Sequence, residues 1–212
     1  DLKGMWRGRT GALASFDVAL VAGAASRRYA RRIGFPDARI IDGLLTCDVP
    51  LFGAVGAHRA AAPDAPWPPV MLFVGQFIER KGLDTLLAAY DAYRKTTAQP
   101  WALWCVGAGP LRSLLTGRPG VEVFDFAPPA QCAALMGRAG LFVLPSRIDH
   151  WGVVIHEAAS AGLPIVASRR CEDAGAASGR MRRRACGAGL RRAELRALRA
   201  VLAIAFCRRL AG

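Results

Sequence analysis

Short apolar runs alternate with amphipathic stretches along most of this 212-residue chain. Residues 16–22 form an apolar run ended by Gly23, the pattern of a buried parallel strand. A helix over 24–33 and a second short strand over 38–41 follow. From Val70 the alternation becomes regular. It predicts strands over 70–74, 101–106, 121–126, 141–144 and 164–167, with helices over 83–94, 111–115, 130–138 and 153–161. Strands separated by helices and short loops specify an α/β fold with a doubly wound parallel sheet. The stretch 48–69, rich in Pro, Gly and Ala, is expected to connect two domains. Trp101 and Trp104 fall on a predicted strand and are expected in the core.

The chemistry-bearing residues cluster in the loops that leave the strands. Asp149 and Glu157 stand eight positions apart, the first after the strand 141–144 and the second about one turn into the next helix. In a doubly wound sheet, ligands bind where strand carboxyl ends meet helix N-termini. Free N–H groups and the helix dipole favour phosphate there, and ionised acids accept hydrogen bonds from sugar hydroxyls. Two plainer roles compete: Asp149 as a helix cap and Glu157 as an ordinary exposed acid. The loop Gly75-Gln76-Phe77-Ile78-Glu79-Arg80-Lys81-Gly82 follows the strand 70–74, with glycines at both ends and two cations at the mouth of the next helix. Gly107-Ala108-Gly109-Pro110 ends the following strand, a turn that is structural in many proteins. His150 and His156 carry no pattern that marks a general base, and no strand is followed by an Asp-x-Asp metal motif.

Composition narrows the picture. An apolar fraction of 53% supports a core and argues against disorder. No apolar run approaches the roughly 18–20 residues that cross a bilayer. Six cysteines lie scattered with no C-x-x-C pair, which makes a reducing cytoplasm the expected compartment. The formal charge of +13 suggests an acidic partner, but its distribution weakens that suggestion. Residues 168–212 hold 12 Arg and 3 acids, while the rest of the chain holds 17 basic and 13 acidic residues. The opening Asp1-Leu2-Lys3-Gly4 has no signal-peptide pattern and reads as the interior of a longer protein.

The order of the loops resembles the "group 1" family of retaining glycosyltransferases with the GT-B fold. The resemblance rests on Phe73-Val-Gly-Gln-Phe-Ile-Glu-Arg-Lys-Gly82, Val106-Gly-Ala-Gly-Pro110 and Leu141-Phe-Val-Leu-Pro-Ser146. It continues through Asp149-x-Trp151-Gly152, Glu157-Ala158 and Gly162-Leu-Pro-Ile-Val-Ala-Ser168. Arg32-Ile-Gly-Phe-Pro36 and Thr46-Cys-Asp48 look like the end of that family's acceptor domain. The resemblance implies residues 1–52 as an acceptor-domain remnant, 53–69 as a linker, and 70–168 as a Rossmann-like donor-binding domain. It implies a cytoplasmic enzyme that moves a sugar from a nucleotide diphosphate sugar, needing no metal or separate cofactor, to a sugar, lipid or polysaccharide-precursor acceptor. With so little of the acceptor domain, this chain is expected to bind nucleotide and transfer little.

Family roles fall on matching positions. Lys81 with Arg80 would hold the diphosphate and offset charge developing on the leaving group. Asp149 would hold donor-sugar hydroxyls, and Glu157 the nucleotide ribose. Gly75, Gln76, Gly109 and the backbone at Trp151, Gly152 and Val153 would approach the donor, with Phe126 and Ala127 bordering the base. Two departures stand out. The family's acidic pair is usually two glutamates, and Asp149 is one methylene shorter. Gln76 stands where relatives often carry Arg, leaving the diphosphate charge to Arg80 and Lys81.

After Ser168 the sequence changes character, and residues 169–212 form an Arg-rich tail without lysine. One reading is a frame change in the coding sequence. Another is a basic helix over 190–210 with Leu195, Leu198, Leu202 and Phe206 on its apolar face, touching the domain or the inner face of an anionic membrane. The rival to an enzyme is therefore a non-catalytic nucleotide-binding or interaction domain whose tail docks on membrane or nucleic acid. Because most of the chain outside the tail is nearly charge-balanced, nucleic acid is the less expected partner.

Overall fold

The computed structural model describes residues 15–43, 46–149, 152–168 and 171. The tail helix read over 190–210, together with His150 and Trp151, lies outside the described residues. The chain divides into two compact units, Asp1–Thr46 and Cys47–Gly212.

In the first unit, strands β1 (Ala19–Val21) and β2 (Ile40–Asp42) pair in parallel, joined by helix α1 (Ala24–Arg32). Val21, Ala30 and Ile40 make its small core. The strand expected at 38–41 begins two residues later because Asp37–Arg39 closes a 3-10 turn. Arg27 ties the unit together, donating to the Asp42 carboxylate at 2.7 Å and to the Ile40 carbonyl at 2.9 Å.

The second unit opens with helix α2 (Val49–Ala61). Five strands follow: β3 (Val70–Val74), β4 (Ala102–Val106), β5 (Val121–Phe124), β6 (Leu141–Leu144) and β7 (Ile165–Ala167). Helices α3 (Leu83–Arg94), α4 (Pro129–Gly137) and α5 (Val153–Ser160) lie between them. Among the described residues the sheet is wholly parallel, in the order β5-β4-β3-β6-β7. Every residue of β6 is buried, and four of the five in β3 and β4. That is why these strands read as continuous apolar runs rather than alternations: helices cover both faces. Leu72, Phe73, Leu103, Phe142 and Val143 form the centre of the core. The doubly wound α/β expectation is met. The helix expected at 111–115 is instead a 3-10 turn at Pro110–Leu114.

The stretch expected as a linker differs most. Much of it is α2, which belongs to the second unit and packs on α4 and α5. Its small residues serve helix contact: a Cβ on Gly56 would run into the Ser160 carbonyl oxygen of α5. The start signal was present in the sequence. Asp48 caps the helix, accepting from the Leu51 amide at 3.0 Å, and Pro50 sits in the first turn.

Arg59, near the end of α2, donates to the carbonyls of Met136, Gly137 and Ala139, the last two at 3.1 and 2.7 Å. It thereby adds to the partners at the C-terminal end of α4, where the Met136 carbonyl also accepts from the Ala139 amide. Its guanidinium also lies 4.8 Å from the Trp67 ring centroid. Arg59→Met should leave the Gly137 and Ala139 carbonyls without this donor and cost about 2–3 kcal/mol in urea unfolding, with unchanged m-value.

Candidate functional site

From β3 the chain runs outward through β4 to β5, then returns to β6 on the other side of β3. The strand order therefore reverses between β3 and β6, and the crevice beyond their carboxyl ends is the expected ligand position. Two loops flank it: Gly75–Gly82 after β3, and the segment from Pro145 to Asp149 after β6.

The loops are fastened to each other. The Arg147 amide donates to the Arg80 carbonyl at 2.8 Å. The Arg147 guanidinium pairs with Asp84 at 2.6 Å, an exposed contact worth little by itself. Gly82, at φ +68°, lies directly against the Pro145 carbonyl, where a Cβ has no room. Most telling, Lys81 Nζ donates to Asp149 Oδ2 at 2.6 Å, with side chains 13% and 5% exposed. Two residues 68 positions apart thus meet across the switch point.

Each partner is held from behind. Lys81 ends the 3-10 turn Glu79–Lys81, after which Gly82 turns left-handed and α3 begins. Ser146, fully buried, donates its hydroxyl to the same Asp149 Oδ2 at 3.0 Å. The Ser168 hydroxyl donates to the Ser146 carbonyl, and the Ser168 amide to Leu144 at 2.9 Å, so the end of β7 braces the loop after β6. Asp149 also forms a parallel bridge with Cys171. The capping role weighed for Asp149 is not taken up: the N-cap of α5 is Gly152, with no side-chain cap. Ser146 and Ser168 end two of the motifs that carry the family resemblance, without a role of their own in it. Their placement depends on β6 lying beside β7, and no local spacing reports that.

Glu157 sits in the second turn of α5, half-buried. Burial pushes its carboxyl above the ordinary range, and its charge raises the buried Cys132 thiol further, after burial itself. Among the described residues no hydrogen bond or ion pair joins its carboxylate to a protein cation. For an acid whose folded value is raised, the folded state binds the proton more tightly. Stability should therefore fall as pH climbs from the ordinary glutamate range through the raised value, then level off. Glu157→Gln should flatten that slope in thermal melts taken at successive pH values.

The remaining predicted positions lie on the loops after β3, β4 and β5 and at the start of α5. The β3 and β4 loops are zipped together by Gly75 N–H to the Val106 carbonyl at 3.0 Å and Phe77 N–H to the Ala108 carbonyl at 2.8 Å. Gly109 passes against the backbone of fully buried Phe77. Gln76 and Arg80 are exposed. Phe126 is 77% exposed beyond β5, and the Ala127 carbonyl accepts the Cys132 S–H at 3.3 Å. Val153 opens α5. Among the described residues no group of three or more His, Cys, Asp or Glu side chains is placed to hold a metal ion, and no helix is long and apolar enough to cross a membrane.

The parallel sheet, its switch-point crevice and the charged loops define a doubly wound domain of the kind found in GT-B glycosyltransferases. The family model "Glycosyl transferases group 1" matches residues 68–184, more than half of the chain, and the chain belongs to that family. The match runs beyond Ser168, where the motifs recognised in the sequence stop. No curated protein matches the sequence. Among solved structures, the chain is similar to WaaG, a glycosyltransferase involved in lipopolysaccharide biosynthesis. The TM-score is 0.62 and the identity 19%, covering 90% of this chain and 54% of that one. The pneumococcal O-GlcNAc transferase GtfA, solved with UDP and GlcNAc, aligns with a TM-score of 0.57 and 13% identity over 97% of this chain and 40% of that one. Sucrose-phosphate synthase from Thermosynechococcus elongatus gives 0.54 and 20%, over the whole of this chain and 65% of its own. The chain spans about half the length of WaaG and less of GtfA.

Proposed function

We propose that residues 70–168 bind a nucleotide diphosphate sugar and serve as the donor half of a glycosyltransferase that retains anomeric configuration. The observation that carries this reading is the Lys81 ammonium, held at the switch-point crevice by a loop fastened on both sides. A fixed cation at the turn before α3, paired with Asp149 on the loop after β6, suits a diphosphate leaving group, whose negative charge grows as the bond to the sugar breaks. Arg80, exposed on the same turn, adds charge at the mouth of the crevice. Glu157, half-buried and without a cation partner among the described residues, is suited to accept hydroxyl hydrogen bonds from a ribose, and exposed Phe126 offers an apolar face for a base. In this reading the donor is a substrate and no separate cofactor takes part. Solved relatives hold UDP, as GtfA does with GlcNAc and Anabaena HepE with glucose, which makes UDP the first probe. The acceptor class proposed is a sugar, lipid or polysaccharide precursor, and the site of action cytoplasmic.

Calorimetric titration of the chain with UDP, GDP, UDP-glucose and GDP-mannose tests the proposal. Saturable binding of at least one, weakened by 1 M salt and by Lys81→Met, is expected. No binding of any nucleotide at millimolar concentration would overturn it.

A further inference from the structure

A diphosphate held by Lys81 places its sugar, one bond beyond the phosphate, within reach of the Asp149 carboxylate, which lies 2.6 Å from the same ammonium. A carboxylate accepts a sugar hydroxyl along its lone-pair directions, so its orientation matters. The χ2 torsion of an aspartate is soft and roughly two-fold, and an ammonium attracts either oxygen equally well. Lys81 alone therefore leaves the carboxylate free to turn. Ser146 removes that freedom. Its side chain is fully buried, and its hydroxyl donates at 3.0 Å to Oδ2, the oxygen that Lys81 also engages. Two donors on one oxygen fix the plane of the carboxylate, and with it the direction in which Oδ1 accepts. Ser146 is held in turn through its own backbone. Ser168, buried at the end of β7, donates its hydroxyl to the Ser146 carbonyl and its amide to Leu144 at 2.9 Å.

We propose that Ser146 is a positioning residue for the donor sugar: its hydroxyl orients the Asp149 carboxylate toward a sugar hydroxyl, and Ser168 braces it from the end of β7. The proposal rests on the donor-site reading above and deepens it. A binding group has to be held to within about 0.5 Å and 10–20° to be productive, and locked neighbours behind it supply that precision. Ser146 is fully buried, so it touches neither nucleotide nor sugar and acts through Asp149 alone. The diphosphate contact is made by the ammonium, whose three donors let it serve a phosphate oxygen whatever the plane of the carboxylate. Loss of the Ser146 hydroxyl should therefore be felt by the sugar and not by the bare nucleotide. A residue that merely supported the fold would affect both alike.

The test compares UDP with UDP-glucose and UDP-N-acetylglucosamine, and GDP with GDP-mannose, by calorimetry on the whole chain and its variants. The quantity read is the affinity for the sugar-bearing nucleotide divided by that for the bare one. Ser146→Ala is expected to lower this ratio about five- to tenfold for at least one pair, with the bare nucleotide bound within about twofold of wild type. Ser168→Ala, one step further back, should lower the same ratio about two- to threefold. In an Asp149→Ala background, Ser146→Ala should lower the ratio no further, because its effect passes through the carboxylate. An unchanged ratio in both serine variants overturns the proposal. So does a Ser146→Ala loss that falls equally on bare and sugar-bearing nucleotides, or one that persists in full in the Asp149→Ala background. Circular dichroism checks folding, and if Ser146→Ala does not fold, the Ser168→Ala ratio decides in its place. Nucleotide binding with an unmoved ratio sinks the positioning role alone. Absence of any nucleotide binding by the wild-type chain overturns the donor-site reading, and the proposal with it.

Discussion

Lys81→Met should both unseat the nucleotide and weaken the fold. A charge-assisted contact to a diphosphate contributes about 2–3 kcal/mol, so affinity for UDP or GDP should fall roughly 30- to 150-fold. The second effect arises because Lys81 and Asp149 are mutually dependent. With the cation gone, Asp149 keeps a carboxylate that is only 5% exposed and, among the described residues, retains the Ser146 hydroxyl as its side-chain partner. Breaking one side of a buried pair costs on the order of 3–5 kcal/mol, the lower end applying here because Lys81 still reaches solvent. Adding Asp149→Asn to Lys81→Met removes the orphaned charge and should restore most of the stability without restoring the affinity. Urea unfolding and calorimetry on the two variants check each part. Equal destabilisation of the single and double variants would mean that the buried charge was not the cause.

Gly82→Ala should be the most damaging of the conservative changes. The residue is left-handed at φ +68°, which costs an alanine about 1 kcal/mol. Its new Cβ would also strike the Pro145 carbonyl oxygen, a backbone atom that cannot rotate away. Relief requires the loop after β3 to part from the loop after β6, and Lys81 lies next to that hinge. The expected loss is about 3 kcal/mol or more, together with nucleotide binding. Gly117 provides the control. It has a similar φ of +76°, but nothing stands within 4 Å of where its Cβ would be, so Gly117→Ala should cost only about 1 kcal/mol and leave binding intact. Comparable losses at the two glycines would show that conformation, not the approach of the loops, sets the effect.

The fold was legible because the second unit's strands are buried on both faces. Continuous apolar runs such as Leu141–Leu144, each followed by a glycine or proline turn and an amphipathic stretch, have few other solutions. The helix α2 was not legible as a helix. Its glycines and alanines resemble a linker in composition, and the use of Gly56 becomes apparent only when α5 is laid against it. Strand and helix ends moved by a residue or two at 38–41 and 111–115, where 3-10 turns took the place of longer elements.

The candidate site divides along the same line. Order along the chain is a local property: glycine at a turn, a cation at the head of a helix and acids spaced by eight residues are all readable, and together they carried the family. Distances between loops are not local. That Lys81 meets Asp149, that Ser146 and Ser168 stand behind the pair, and that Glu157 is half-buried all follow from β6 pairing with β3 on one side and β7 on the other. One-dimensional pattern holds each residue's own preference for helix, strand or turn. It does not hold the partner that a buried charge finds when two segments 68 residues apart are brought to the same sheet edge.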